Sequence, residues 1–350
     1  MKVVVGMSGG VDSSVAAALL VQQGHEVIGL MLKLWAEEGC RDNRCCAPEA
    51  VDQARSVARQ LGIPFYVLDY KQVFKQKVVD PFVGTYLAGA TPNPCLSCNR
   101  LVRFGAMMEE ALALGADKLV TGHYVRLEEQ AGRFLLKKGL DPRKDQSYVL
   151  YQLSQAQLAR CLFPLGGMEK SQTRALAKEF GLEVASKPDS QDLCFVGDDG
   201  YRGFLARRAN GAFGSGNFVD TQGRVLGRHK GLPLYTIGQR KGLGLSLPEP
   251  LYVVRLDRDK NQVVLGRESA REASLALVDQ LLWQQDPGPY WGREVAVQVR
   301  YNSQERFARL EPHGPLAKLH FLEPVKDLTP GQAAVFYDGD LLVGGGILLG

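Results

Sequence analysis

No apolar run in the chain approaches the roughly 18 residues that a membrane-spanning helix needs, and the opening MKVVVGMSGG is too short in its apolar part for a secretory leader. A cytoplasmic protein without a membrane partner is therefore expected. An excess of one charge is also lacking. Forty-two Lys and Arg face 38 Asp and Glu, a net charge of +4, too little to argue for nucleic-acid binding by bulk charge but compatible with a localised basic face. Nor is there a disulfide framework: the seven cysteines, at 40, 45, 46, 95, 98, 161 and 194, are odd in number and unevenly spaced, which argues against secretion and leaves reactive or metal-binding thiols open. Internal repeats and low-complexity tracts are absent too. A chain of 350 residues exceeds the usual single core, so about two to three domains are expected.

What is present divides near residue 196. In the first part, KVVVGM reads as a strand buried on both faces, followed by a helix over VAAALLVQQG and a second strand over HEVIGLML. PEAVDQARSVARQLG opens on Pro48 and closes on Gly62, as helices do. IPFYVLDY is a third strand, LVRFGAMMEEALALG a helix and DKLVTGHY a fourth strand. Strands alternating with helices predict a doubly wound parallel sheet with ligands at the carboxyl ends of its strands. Beyond residue 196, glycine clusters and short alternating runs such as LYVVRLD, EVAVQVRY and VFYDGDLLV predict hairpins. These indicate a small β-rich linker domain followed by a barrel or sandwich.

GMSGGVDSS, Gly6 to Ser14, runs from the first strand directly into the first helix. Glycines there let backbone N–H groups face a concavity, the helix start adds positive potential, and serine hydroxyls add donors, so a phosphate-type anion fits. The Lys-Ser/Thr ending of the Walker loop is missing, and the dinucleotide glycine pattern is not met. S-G-G-x-D-S in this context resembles the pyrophosphate loop of the ATP pyrophosphatase superfamily, whose members split ATP between its α and β phosphates. Asp12 then either orders the loop or approaches Mg²⁺.

Further stretches narrow the resemblance: TPNPCLSCNR, TGHYVR, KDQSYVLYQLSQAQLARCLFPLG, KPDSQDLCFV, YTIGQRKGLGL and TPGQAAVFYDGD. Together they are similar to the tRNA-specific 2-thiouridylases over essentially the whole chain. That resemblance implies an ATP-pyrophosphatase catalytic domain over 1–195, a small central domain contacting tRNA over 196–266 and a C-terminal β-barrel over 267–350. It implies ATP-dependent 2-thiolation of the wobble uridine in the tRNAs for Lys, Glu and Gln. ATP with Mg²⁺ is the cosubstrate, and the partners are tRNA, a sulfur donor such as a cysteine desulfurase or relay protein, and a reductant. By the same resemblance Gly6, Met7, Ser8, Gly9, Gly10, Val11, Asp12 and Ser13 bind ATP, with Leu32 and Gly122 at further ATP contacts. Core packing for Leu32 and a turn for Gly122 explain those two residues equally well.

The resemblance makes Cys98 the nucleophile and Cys194 the persulfide carrier, with a Cys98–Cys194 disulfide after turnover. Position 98 is read as lying just ahead of a helix, where the N-terminal partial charge, Arg100 and Arg103 lower a thiol's pKa. Cys95 stands where many relatives carry Asp, so the general acid/base is left without an owner. The extra thiol opens an alternative, a [4Fe–4S] cluster on Cys95, Cys98 and Cys194. Cys40, Cys45 and Cys46 read as loop thiols, and Cys161 as core at a helix end. Asn93, Pro94 and Cys95 fall on the target-base segment, while His123, Lys144, Asp145, Gln146, Arg300, Tyr301 and Gln332 fall at tRNA contacts. Arg240 and Lys241 suit phosphate contact. A ligase adenylating a small molecule would explain the loop but not the paired cysteines.

Overall fold

β1 (Lys2–Gly6) is the middle of a parallel sheet because Val3, Val4 and Val5 are fully buried on both faces, which is why the strand reads as an unbroken apolar run. In the computed structural model, residues 1–35, 48–188, 193–197, 199–209, 213–246 and 249–349 are described. Cys40, Cys45 and Cys46 lie outside them. Contacts divide the chain into two units: Met1–Val79, Pro94–Asp198 and Asp340–Leu342 in the first, and Asp80–Asn93, Asp199–Gly339 and Val343–Gly350 in the second. Among the described residues, no helix is long and apolar enough to cross a membrane.

In the first unit α1 (Val11–Gln22), β2 (Glu26–Lys33), α2 (Pro48–Gln60), β3 (Phe65–Asp69) and β4 (Lys118–Val120) follow β1. A hairpin of β5 (Val125–Gln130) and β6 (Arg133–Lys138) then leads to the two-residue β7 (Cys161–Leu162). The sheet order is β3-β2-β1-β4-β7, all parallel. The chain leaves β1 toward β2 and β3, then returns on the other side of β1 as β4. The loops after β1 and β4 therefore diverge at the carboxyl edge, the topological switch point where such sheets bind ligands. α2 buries Ala50, Val51, Ala54, Val57 and Ala58 at helical spacing. α1, by contrast, is buried from Val11 through Leu20 on nearly every side.

Two expectations change here. Cys161 is buried, but in the fifth strand, paired with Leu119, rather than at a helix end. The helix read over LVRFGAMMEEALALG begins earlier, with α-helical Pro94–Ser97, a π-helical turn over Cys98–Ala106, and α3 (Met107–Ala113). Lys170–Glu179 forms α4.

The second unit carries a four-stranded sheet of β8 (Gly216–Asp220), β9 (Val225–His229), β10 (Tyr252–Asp257) and β11 (Gln262–Gly266), ordered β10-β11-β8-β9. Six further strands follow: β12 (Glu272–Trp283), β13 (Glu294–Gln298), β14 (Arg306–His313), β15 (Leu316–Lys326), β16 (Ala333–Asp338) and β17 (Leu341–Leu348). They run β12-β15-β14-β13-β16-β17 and close through Val278↔Leu348 and Trp283↔Gly344. This decides for a barrel over a sandwich. Its interior is apolar and includes Val297, Leu310, Leu319 and Phe336.

Candidate active site

At the switch point the glycine loop and the loop after β4 enclose a cavity of about 210 Å³. Gly6, Met7, Ser8, Asp12, Ser13, Leu32 and Gly122, all assigned to ATP from the sequence, line it. Gly9, Gly10 and Val11 do not; Val11 points into the core. Arg103, His123 and Gln146 line it as well, as do Met31, Leu34, Met107 and Thr121, which sequence reasoning missed because only the fold brings β2, α3 and β4 to one edge.

The loop is knitted by its serines. Ser8 N donates to Ser13 Oγ at 3.1 Å, and the Ser14 hydroxyl donates to the Gly10 carbonyl at 2.9 Å. Gly9 has φ of 69°, and a Cβ there would sit 2.3 Å from the Ala50 carbonyl oxygen. Gly122 is required by close approach, since a Cβ would lie 2.8 Å from the carbonyl carbon of Asp12. Asp12 accepts from Lys170 Nζ at 2.6 and 2.8 Å and from the Tyr124 hydroxyl at 2.8 Å. These contacts tie the loop to α4 and to the loop after β4. Lys170 and Lys187, which reach the loop from far along the sequence, were not anticipated.

Arg103 joins this cavity to the cysteines. Its Nη1 donates to His123 Nε2 at 3.4 Å. Because guanidinium cannot accept, Nδ1 carries the imidazole proton and donates to Thr121 Oγ1 at 2.8 Å. His123 is buried, and desolvation, reinforced by the Arg103 charge, holds its pKa down to about 3. The folded value is lowered, so the stabilisation is complete above about pH 6.5 and is lost as pH falls toward 3. Between pH 7 and pH 5 this one residue should cost about 2 kcal/mol of stability. Urea titrations at both pH values should show the loss, and His123→Asn should show correspondingly less of it.

Cys98 is buried, and burial pushes its thiol up to about 11; Arg103 opposes the shift and neighbouring Cys95 adds to it. This reverses the lowered pKa expected from a position ahead of a helix. Cys98 is the fifth residue of a helical run, so its desolvation outweighs the end charge. Arg103 contributes as expected, whereas exposed Arg100 does not enter. Cys95 is exposed on its surface, although the surrounding protein still shifts its thiol upward. Iodoacetamide labelling of Cys98, followed by mass spectrometry, should accelerate about tenfold per pH unit from 7 to 10; a thiol of ordinary pKa levels off near 9.

Cys194 is half-buried and free. It precedes Phe195, whose ring packs on Phe74 at 5.7 Å and Trp35 at 6.5 Å. Among the described residues no three His, Cys, Asp or Glu side chains converge as metal ligands. Cys95, Cys98 and Cys194 are all free thiols.

Residues 1–198 match the family described as "tRNA methyl transferase HUP domain", residues 202–267 its PRC-barrel domain and residues 274–348 the "Aminomethyltransferase beta-barrel domain". The "tRNA-specific 2-thiouridylase MnmA" of Heliobacterium modesticaldum is 47% identical over 99% of this chain and 92% of its own. That of Desulforamulus reducens is 48% identical over 99% and 96%. The chain belongs to the tRNA-specific 2-thiouridylase family. Membership places the pyrophosphate-loop domain first, the PRC-barrel-like domain second and the β-barrel last, in agreement with the fold class read from the sequence.

The remaining residues that the 2-thiouridylase resemblance assigned to tRNA occupy different settings. In the first unit Pro94 is buried, Lys144 is half-buried, and Gln146 lines the cavity, where its Oε1 accepts from Tyr124 N at 3.1 Å. Asp145 turns inward, accepting from Gly139 N at 2.8 Å and from the Ser147 hydroxyl at 2.7 Å, and burial raises its carboxyl pKa. Its carboxylate is thus committed to the turn after the hairpin. His123 is buried in the cavity wall.

In the second unit three sequence-distant positions come together. Gln332 Nε2 donates to the Thr91 carbonyl at 2.8 Å, Gln332 N donates to the Thr329 carbonyl, and Arg300 Nη2 donates to Thr329 Oγ1 at 2.8 Å. Half-buried Asn93 follows Thr91 by two residues, and half-buried Tyr301 follows Arg300. Arg240 and Lys241 are exposed. Residues 202–267 hold 12 Lys and Arg against 4 Asp and Glu, a net charge of +8 where the whole chain has +4. The excess positive charge is thus concentrated in one segment of the sequence.

Proposed function

We propose that this chain transfers sulfur to C2 of the wobble uridine in the tRNAs for Lys, Glu and Gln, using ATP with Mg²⁺ to activate the oxygen. The observation that carries the reading is Arg103, which lines the phosphate-loop cavity and whose charge also acts on the thiols of Cys98 and Cys95. Uracil O2 is a poor leaving group. Attack of O2 on the α phosphorus of ATP forms an O2-adenylate and expels pyrophosphate. The loop from Gly6 through Ser13 holds the phosphates, with Gly9, Gly10 and Val11 acting through their backbone alone, while Leu32 and Gly122 flank the nucleotide. Cys194 arrives as a persulfide, loaded by a desulfurase or relay protein. Attack of Cys98 on the inner sulfur forms the Cys98–Cys194 disulfide and releases the outer sulfur as sulfide to C2, and the C2–O bond breaks as AMP leaves. A reductant supplies two electrons to reopen the disulfide.

The family description mentions methyl transfer, but methyl transfer requires neither a pyrophosphate loop nor a thiol pair. The alternative route, the same thiolation through a [4Fe–4S] cluster on Cys95, Cys98 and Cys194, would leave no Cys98–Cys194 disulfide after turnover, and no step here is routed through it. Phosphate contacts fall to the basic 202–267 segment, so binding should weaken steeply with salt. In this reading residues 1–195 form the catalytic domain, 196–266 the tRNA-contacting domain and 267–350 the barrel.

Thiolation of a tRNA transcript, read as retardation on a mercury-containing gel, tests the proposal. Retardation should require ATP and a sulfur donor, and should vanish when the wobble uridine is replaced by cytidine. Retardation of the cytidine transcript would refute it.

A further inference from the structure

Gly6 to Ser14 contains no lysine or arginine, so the cation that balances a bound pyrophosphate must come from elsewhere in the fold. Arg103 lines the cavity but faces His123 and the thiols of Cys95 and Cys98; two lysines reach the loop itself. Lys170 is neutralised by both oxygens of Asp12. Lys187 is not: its ammonium donates to the Gly9 carbonyl at 3.0 Å and to Gln53 Oε1, both uncharged acceptors. Among the described residues no carboxylate pairs with Lys187, and its third N–H has no partner.

The backbone that carries Lys187 is also fixed, and its side chain meets the loop at Gly9, beside the cavity wall and not in it. Arg174 Nη1 donates to the carbonyls of Ala185 and Lys187 at 3.1 and 3.0 Å, which pins the backbone from which the side chain departs. Gln53 belongs to α2, as does Ala50, whose carbonyl abuts Gly9. Lys187 thus bridges α2 and the phosphate loop. A half-buried ammonium on neutral partners is costly, and a bound anion relieves that cost. Desolvation accordingly lowers its pKa.

We infer that Lys187 supplies the cation missing from the loop, holding the Gly9 carbonyl while giving its remaining N–H to the β,γ-pyrophosphate of ATP. The inference rests on the ATP reading above and assigns the positive charge within that site. Ammonium to phosphate is a charge-assisted contact, and it acts on pyrophosphate without touching the adenosine and α-phosphate half of the nucleotide.

The test is calorimetric titration of the full-length protein with magnesium pyrophosphate and, separately, with AMP. Lys187→Gln should lose about 10- to 100-fold in pyrophosphate affinity and keep AMP affinity within about twofold. Lys187→Arg should retain most pyrophosphate binding. Unchanged pyrophosphate affinity in Lys187→Gln would overturn the assignment. An equal loss of both ligands, or failure of Lys187→Arg to rescue, would also overturn it by marking Lys187 as a loop strut only. Neither titration involves tRNA, so a wild type that binds both ligands but fails to thiolate would refute the proposed function and leave the role of Lys187 standing.

Discussion

A Cys98→Ser enzyme is expected to bind ATP and tRNA normally and to make no thiolated tRNA, a loss of more than about 10³-fold. Serine is nearly isosteric at this buried position, so the helix and cavity should survive. The loss is therefore chemical: a hydroxyl does not displace sulfide from a persulfide. Cys194→Ser should be equally inactive, but the two variants differ in what they accumulate. After incubation with the sulfur donor, intact-protein mass spectrometry should find Cys98→Ser carrying one extra sulfur and Cys194→Ser carrying none. Thiolation by either variant at more than a few per cent of the wild-type rate would remove that cysteine from the mechanism.

The second large effect concerns the phosphate loop. Gly9→Ala combines a φ of 69° with a Cβ placed 2.3 Å from the Ala50 carbonyl oxygen. The left-handed backbone alone costs about 1–2 kcal/mol, and a clash with helix backbone cannot be relieved by rotating a side chain. Loop or helix must shift, moving the Gly9 carbonyl that Lys187 holds. The Michaelis constant for ATP should rise about 100-fold, which corresponds to roughly 3 kcal/mol of lost binding. Gly62→Ala is the matched control, because its φ is 67° and nothing lies within 4 Å of the new Cβ. It should lower the melting temperature through backbone strain while leaving ATP kinetics unchanged. Equal kinetic behaviour of the two variants would disconnect the loop from ATP.

The local features of the site were legible in the sequence. β1 announces itself because a strand buried on both faces must be apolar throughout, and the glycine loop because close backbone approach demands glycine. The alternation of strand and helix was enough to imply a switch point at the carboxyl edge of the sheet. Tertiary pairings were not legible. Lys170 and Lys187 act on residues 158 and 178 positions away, and no local periodicity encodes such distances. β7 was missed because two paired residues carry no strand pattern.

Cys98 shows a different limit. Neighbouring cations and a helix start are visible in sequence, whereas the burial that overrides them is a property of packing. Asp145 is similar: an exposed-looking K-D-Q becomes a turn whose carboxylate is consumed by Gly139 and Ser147. The barrel interior and the concentration of charge in residues 202–267, by contrast, follow from composition once the domain limits are placed.

The central claim is activation of uridine by cleavage of ATP between its α and β phosphates at the β1–α1 loop, followed by sulfur transfer from cysteine. Single-turnover reactions with persulfide-loaded enzyme, α-labelled ATP and tRNA transcript test it most directly. One AMP and one pyrophosphate should appear for each thiouridine formed. Thiolation without ATP, or coupled to ADP and phosphate, would contradict it.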